Sequence, residues 1–201
     1  MDHSNLEKIR LHLGCGRTIL QGWINLDIAP LPGVDVVANL DTCGTVPLPF
    51  QENSIDEILC IHTIEHLKNT LPFMQELHRI AKPDARAVFL VPYGSSDAAF
   101  EDPTHMRPYF LNSFEYFAQP CYWRADYGYR GDWQAENIEL LVEDKYSGKT
   151  AEEIFYEIMR QRNTVLEMTV SLRAIKPIRP PEKEYQSAPK ITIVPQKSVS
   201  K

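Results

Sequence analysis

The stretch Ile9-Arg10-Leu11-His12-Leu13-Gly14-Cys15-Gly16-Arg17-Thr18-Ile19-Leu20-Gln21-Gly22-Trp23-Ile24-Asn25-Leu26-Asp27 decides how this chain folds. Ile9, Leu11 and Leu13 alternate as in a strand, and the run breaks at Gly14-Cys15-Gly16. A second apolar run from Trp23 to Leu26 ends in a carboxylate, Asp27. Glycines at a strand end leave no Cβ between a ligand and the backbone. An acid closing the next strand accepts hydrogen bonds from a ribose diol. The two features together describe the nucleoside-binding edge of an α/β sheet.

Dinucleotides and S-adenosylmethionine both use such an edge. The dinucleotide fingerprint needs a third glycine and an acid about 20 residues further on. Here Ile19 takes the third glycine's place, and Asp27 follows Gly14 by only thirteen residues. The interval leaves no room for a full helix whose N-terminus would face a pyrophosphate. S-adenosylmethionine carries no phosphate, so the spacing favours the methyl donor.

Working outward, strands are expected at 34–38, 55–61 and 85–91, with a helix over 70–81 stopped by Lys82-Pro83-Asp84. Asn112-Ser113 reads as the cap of a helix through Phe117. Further strands are expected at 137–142 and 164–174, with an amphipathic helix over 151–162 between them. Alternation of this kind gives an α/β domain with a mostly parallel central sheet, an antiparallel last strand and helices on both faces. The domain is expected over residues 1–176, with acceptor-side insertions about 94–135 and 148–163. The proline- and lysine-containing segment 177–201 reads as a flexible tail.

Charge is unevenly placed. From Lys176 onward six basic residues face two acidic ones; before it fifteen face twenty-five. An acidic body argues against a nucleic-acid partner, which needs a basic face. No apolar stretch is long enough for a membrane span, and the N-terminus has no apolar signal core. Cys15, Cys43, Cys60 and Cys121 lack paired spacing and read as free thiols of a cytoplasmic protein, monomeric or homodimeric.

In its ordered series of motifs the sequence resembles the class I S-adenosylmethionine-dependent methyltransferases, in particular a short type 11-like branch of bacteria and phages. The residues carrying the resemblance are Leu11-His12-Leu13-Gly14-Cys15-Gly16, Gly22-Trp23-Ile24-Asn25-Leu26-Asp27, Leu48-Pro49-Phe50, Ser54-Ile55-Asp56-Glu57-Ile58, Ile64-Glu65-His66-Leu67 and Glu76-Leu77-His78-Arg79-Ile80. Asp102-Pro103-Thr104-His105 and Ser113-Phe114-Glu115-Tyr116-Phe117 extend it, so it covers about the first 117 residues. It implies a Rossmann-like methyltransferase fold with S-adenosylmethionine as cofactor. It also implies donor contacts at Gly14, Cys15 and Gly16, at Asp27 with Ile28 beside it, at Asn39, Leu40 and Asp41 around the adenine, and at Ile61 and His62 near the sulfonium. The chain departs from the family with Asn39-Leu40-Asp41, where Asp then Leu is common, and with Lys82-Pro83-Asp84-Ala85 at a usual Pro-Gly-Gly turn.

The reaction expected is O-methylation of a small molecule or saccharide. His62, Glu65 and His66 follow the fourth strand at helical spacing and would share one face of a helix. His105 is the preferred general base, oriented by Asp102, and Arg107 suits an anionic acceptor or a surface carboxylate. His62, Glu65, His66 and His105 also form a candidate divalent-metal set, as in methyltransferases acting on a vicinal diol, a catechol or an RNA end. Those enzymes carry Glu where His62 stands, so a metal-free histidine base is preferred. The remaining alternative is a catalytically silent donor-binding protein.

Overall fold

The computed structural model describes residues 8–196. Eight strands form one sheet: β1 (Arg10–Leu13), β2 (Ile24–Asp27), β3 (Val36–Val37), β4 (Ile55–Ile61), β5 (Ala81–Pro92), β6 (Trp133–Val142), β7 (Val165–Ala174) and β8 (Lys190–Pro195). Their order is β3-β2-β1-β4-β5-β7-β6-β8. All neighbours pair in parallel except β7, which is antiparallel to both β5 and β6. This is the expected α/β architecture. The chain leaves β1 in one direction along the sheet and returns through β4 in the other. The crevice between these two carboxyl ends is where open α/β sheets bind ligands.

The core follows from the alternation. Leu11, Leu13, Leu26, Ile58 and Cys60 are fully buried in the parallel half, and α1 (Thr70–Ile80) lays Phe73, Met74, Leu77 and Ile80 against it. Trp133 is also fully buried; its indole N–H donates to the Met74 carbonyl at 2.9 Å. Within the parallel half, only the connection from β4 to β5 carries an α-helix. The ten residues between β1 and β2 form turns, and Asn25 holds them together by accepting from Leu20 N–H and donating to the Leu20 and Trp23 carbonyls. Among the described residues no helix is long and apolar enough to cross a membrane.

Three local expectations change. The helix at 113–117 is a 3-10 turn, and Asn112 makes no side-chain cap bond, because its backbone at φ −95°, ψ 3° is not extended. The helix expected over 151–162 stops earlier, as α3 (Ala151–Ile158), which Thr150 and Glu153 close with a reciprocal capping box. The tail is the largest change. Lys190–Pro195 adds β8 in parallel to β6, with Ile191 beside Ile138 and Ile193 beside Leu140. The short run Ile191-Thr192-Ile193-Val194 supplies strand propensity that the surrounding prolines obscured. Residues 197–201 lie outside the described residues.

The start of that segment is anchored. Arg179 meets the fully buried Asp132 with two parallel contacts, Nη2 to Oδ1 at 2.7 Å and Nε to Oδ2 at 2.8 Å. Removing one partner of a buried pair leaves an uncompensated charge. We expect Arg179→Met to destabilise the fold by about 3–5 kcal/mol, read from urea denaturation.

Two histidines are buried in this fold. Burial pushes the His12 and His78 imidazoles below the ordinary value of 6.5, against weaker opposing hydrogen bonds to Asn25 and the Ile175 carbonyl. Below that value the unfolded chain binds more protons than the folded one, so the stability they contribute is whole above pH 6.5 and lost as pH falls beneath it. The urea midpoint should therefore drop between about pH 7 and about pH 5.5, and His78→Gln should flatten that dependence.

Candidate active site

Gly14 and Gly16 both turn the backbone to positive φ, +62° and +51°, just after β1. A Cβ on Gly14 would collide with the Thr63 side chain, which fills that space from the end of β4. A Cβ on Gly16 would meet nothing within 4 Å, so the space above Gly16 is open. Asp27, closing β2, accepts from Gly16 N–H at 2.8 Å through Oδ2 and from Ala29 N–H at 2.9 Å through Oδ1. Each oxygen keeps acceptor capacity for a ligand. Next to it Ile28 is 65% exposed, an apolar side chain at the crevice mouth.

The adenine-side residues separate. Asp41 Oδ1 accepts from the Lys68 and Asn69 amides at 2.7 and 3.1 Å, so its carboxylate ties two loops together. Asn39 Oδ1 accepts from Asp41 N–H at 3.0 Å, while its amide nitrogen has no protein partner among the described residues. Leu40 is buried in the core. The Cys15 side chain is buried too, and burial followed by Asp27 pushes its thiol up. It is the wrong environment for a nucleophilic thiolate.

Beyond β4, Ile64–His66 is a single 3-10 turn instead of a helix. His62 reaches this turn with φ +45°, an uncommon conformation for a residue with a Cβ. Its ring lies between Glu65 Oε1, 3.4 Å from Nδ1, and Glu167 Oε1, 3.3 Å from Nε2. These carboxylates, Glu65 foremost, hold the His62 imidazole above its ordinary value, although burial opposes them. The His66 and His105 rings meet edge to face with centroids 4.7 Å apart. Donor atoms of Glu65, His66 and His105 all lie within 4.8 Å of one another. His62 stands outside that cluster.

Asp102 does not orient His105 directly. Its Oδ2 lies 3.9 Å from His105 Nε2, beyond hydrogen-bond range. It instead accepts from Thr104 N–H at 2.8 Å and Thr104 Oγ1 at 2.6 Å, and these bonds, the hydroxyl first, hold its carboxyl below the usual range. The Asp-Pro-Thr turn directs the carboxylate back onto its own backbone. His105 Nδ1 faces the Ala99 carbonyl at 3.2 Å, and Arg107 donates to the Lys68 carbonyl at 2.9 Å.

Residues 11–89 match the sequence profile of a family described as a methyltransferase domain. The matched stretch runs from β1 into β5, so the likeness to that family covers the parallel half of the sheet. Among solved structures the chain is similar to an S-adenosylmethionine-dependent methyltransferase from Archaeoglobus fulgidus, at 18% identity and TM-score 0.53 over 83% of this chain and 86% of that one. It is also similar to a proposed sarcosine dimethylglycine methyltransferase from Galdieria sulphuraria, at 14% identity and TM-score 0.54 over 86% of this chain and 79% of that one. At such identities the likeness is one of fold. No curated protein matches the sequence.

The residues at this sheet edge would suit an adenosyl donor of the kind such a family uses. The open space over Gly16 and the backbone-anchored Asp27 carboxylate sit at the switch point, as an adenosyl ribose requires. Two participants escaped the sequence reading. Thr104 bridges Asp102 and His66, and Glu167 reaches the site from the start of β7, opposite Pro92. The signal for Glu167 is the antiparallel strand expected over 164–174, whose first residues start at the carboxyl edge of the sheet. We expect Asp27→Ala to weaken S-adenosylhomocysteine binding by about 10- to 150-fold in calorimetry, corresponding to lost charge-assisted hydrogen bonds of about 1.5–3 kcal/mol. Gly14→Ala should lose at least as much, since Thr63 must move, whereas Asp27→Asn should fall between.

Proposed function

We propose that this chain is an S-adenosylmethionine-dependent methyltransferase that acts on an oxygen atom of a small molecule or saccharide, with Glu65, His66 and His105 activating the acceptor hydroxyl. The donor, when bound, supplies an electrophilic methyl group. The chain must then place the acceptor in line with it and deal with the hydroxyl proton. The supporting observation is the hydrogen bonding of the two imidazoles. A carbonyl only accepts, so His105 Nδ1 carries hydrogen and its Nε2 keeps a lone pair. The Thr104 hydroxyl hydrogen goes to Asp102, so Thr104 Oγ1 accepts from His66 Nδ1–H at 2.8 Å, and His66 Nε2 is also free. His62, favoured as imidazolium by its two carboxylates, suits substrate orientation better than proton removal.

A cavity of about 440 Å³ lies along the segment that follows His105, lined in part by Leu71, Arg107, Tyr109, Phe110, Tyr116 and Tyr127. Tyr109 and Arg107 link it to the loop carrying Glu65 and His66 through bonds to the Ile64 and Lys68 carbonyls. Aromatic faces with one cation nearby suit a sugar or aromatic ring. Of the aromatics at 121–133, Tyr122, Tyr129 and Trp133 are buried in packing, whereas Trp123 and Tyr127 stand exposed.

The RNA-end reading loses support from topology. β7 runs away from the carboxyl edge of the sheet, so the segment after Ala174 starts at the opposite edge. Its first two cations are already engaged, Lys176 with Asn53 and the Arg79 and Ala81 carbonyls, Arg179 with Asp132.

The test is mass spectrometry of methyl transfer over a panel of phenols, diols and saccharides. We expect a methyl ether as product, and His105→Gln should cut turnover by about 100-fold or more while sparing donor affinity. Transfer to nitrogen, sulfur or carbon would overturn the oxygen assignment. Retained donor affinity without any transfer across the panel would favour the silent binding protein.

A further inference from the structure

Glu65 poses a problem that methyl transfer by a bare imidazole does not solve. The residue is 2% exposed, and neither carboxylate oxygen has a hydrogen-bond partner among the described residues. His62 Nδ1 is 3.4 Å from Oε1, beyond the 2.7–2.9 Å of a charge-assisted bond. A buried carboxylate left so poorly compensated is costly unless something else neutralises it. In the neutral tautomers set by their Nδ1 hydrogen bonds, the two imidazoles beside it each leave a lone pair on Nε2. Three electron-pair donors thus converge at one point.

We propose that Glu65, His66 and His105 hold a divalent first-row transition ion whose open positions take the acceptor's oxygen. The inference rests on the oxygen-acceptor reading above and deepens it, since a ligated nitrogen no longer takes up the acceptor's proton. The ion lowers the pKa of the bound hydroxyl instead, and that proton leaves to water. Two imidazoles and one carboxylate favour zinc, manganese, iron or cobalt over magnesium or calcium, which prefer all-oxygen shells. The hydrogen bonds behind the cluster suit ligation. Each ring donates its other nitrogen's hydrogen, His105 to the Ala99 carbonyl and His66 to Thr104, which is backed by Asp102. Such partners fix the tautomer and orientation of metal-bound histidines. The backbone ties the two halves together, with Met106 N–H donating to the Glu65 carbonyl at 2.7 Å.

The donor atoms lie within 4.8 Å of one another, a loose limit compared with ligands around a bound ion. Bonds of about 2.1 Å place neighbouring ligands roughly 3.0–3.4 Å apart, so the cluster must contract by up to about 1.5 Å. The side chain of His66 is partly exposed, and His105 sits on the loop after α2 (Ala98–Glu101), so both can swing inward while Glu65 stays fixed in the core.

The experiment uses tag-free full-length protein, stripped by chelator and titrated with cobalt(II) under visible absorption and calorimetry. We expect one saturable site with a ligand-field spectrum. Glu65→Gln and His105→Gln should abolish it, Thr104→Val should weaken it by about 10- to 100-fold, and His62→Gln should retain it. S-adenosylhomocysteine binding, measured on every variant, reports that the protein is folded. No saturable cobalt site in the parent, or equal affinity in Glu65→Gln and His105→Gln, overturns the proposal. Product analysis with and without chelator separates the two readings. A methyl ether formed equally well in chelator, with no cobalt site, removes the ion and leaves oxygen methylation standing. A cobalt site accompanied by transfer to another element removes the oxygen assignment alone.

Discussion

The Asp27 carboxylate is the constraint on which the rest of the donor edge depends. Both of its oxygens are anchored by backbone amides, Gly16 on one side and Ala29 on the other. The first bond joins the end of β2 to the turn after β1 across only ten intervening residues. So short a crossover has no space for a helix, and side chains carry its closure instead. Asn25 supplies it from inside, and Asp27 closes the top. Thr63 then comes from β4 into the space that Gly14 leaves by lacking a Cβ. Three strand ends are thereby locked to one another, which pre-orders the crevice before any ligand arrives.

How much of this was legible depends on whether a residue acts on its neighbours or across the sheet. Gly14, Gly16 and Asp27 were readable because the strand–glycine–strand–acid order is local. The pieces Leu48-Pro49-Phe50 and Glu76-Leu77-His78-Arg79-Ile80 were noticed separately, yet they meet. Glu76 accepts from Leu48 N–H at 2.7 Å, and Arg79 donates to the Leu48 and Phe50 carbonyls. Asp41 looked like a base contact and proves to brace the loop at Lys68, a partner 27 positions away. The tail was misjudged for a related reason. Its prolines and lysines argue for a solvated end, and only pairing with β6 reveals the strand in it.

The loops after β4 and β5 meet as the sequence suggests, with Glu65, His66 and His105 close together, but the local geometry differs. His62, Glu65 and His66 were taken to share a helix face, but the chain makes one 3-10 turn there after a left-handed residue. That turn sends His62 towards Glu167 and leaves Glu65 pointing into the protein beside His66. Asp102 lies three residues before His105, a spacing that suggested direct contact, but the proline turn gives its oxygens to Thr104. The orienting carboxylate therefore serves His66 through a hydroxyl, and a backbone carbonyl serves His105.

The antiparallel strand explains how the acceptor end is furnished. Parallel strands deliver only their C-terminal residues to the carboxyl edge of a sheet. β7 starts at that edge, so it brings its first residues, and Glu167 arrives opposite Pro92 within reach of His62. The connection from β6 to β7 is forced to the same side. It carries α3 and ends at Asn163, whose side chain accepts from Asp97 N–H at 2.7 Å and whose own N–H donates to the Ser95 carbonyl. The segment between β6 and β7 is thus fastened to the loop that follows β5, the loop that also leads to His105. A scaffold built this way can hold the Gly14–Asp27 turn constant while the β6–β7 segment and the aromatic stretch 121–133 vary, because among the described residues neither supplies a hydrogen bond to that turn.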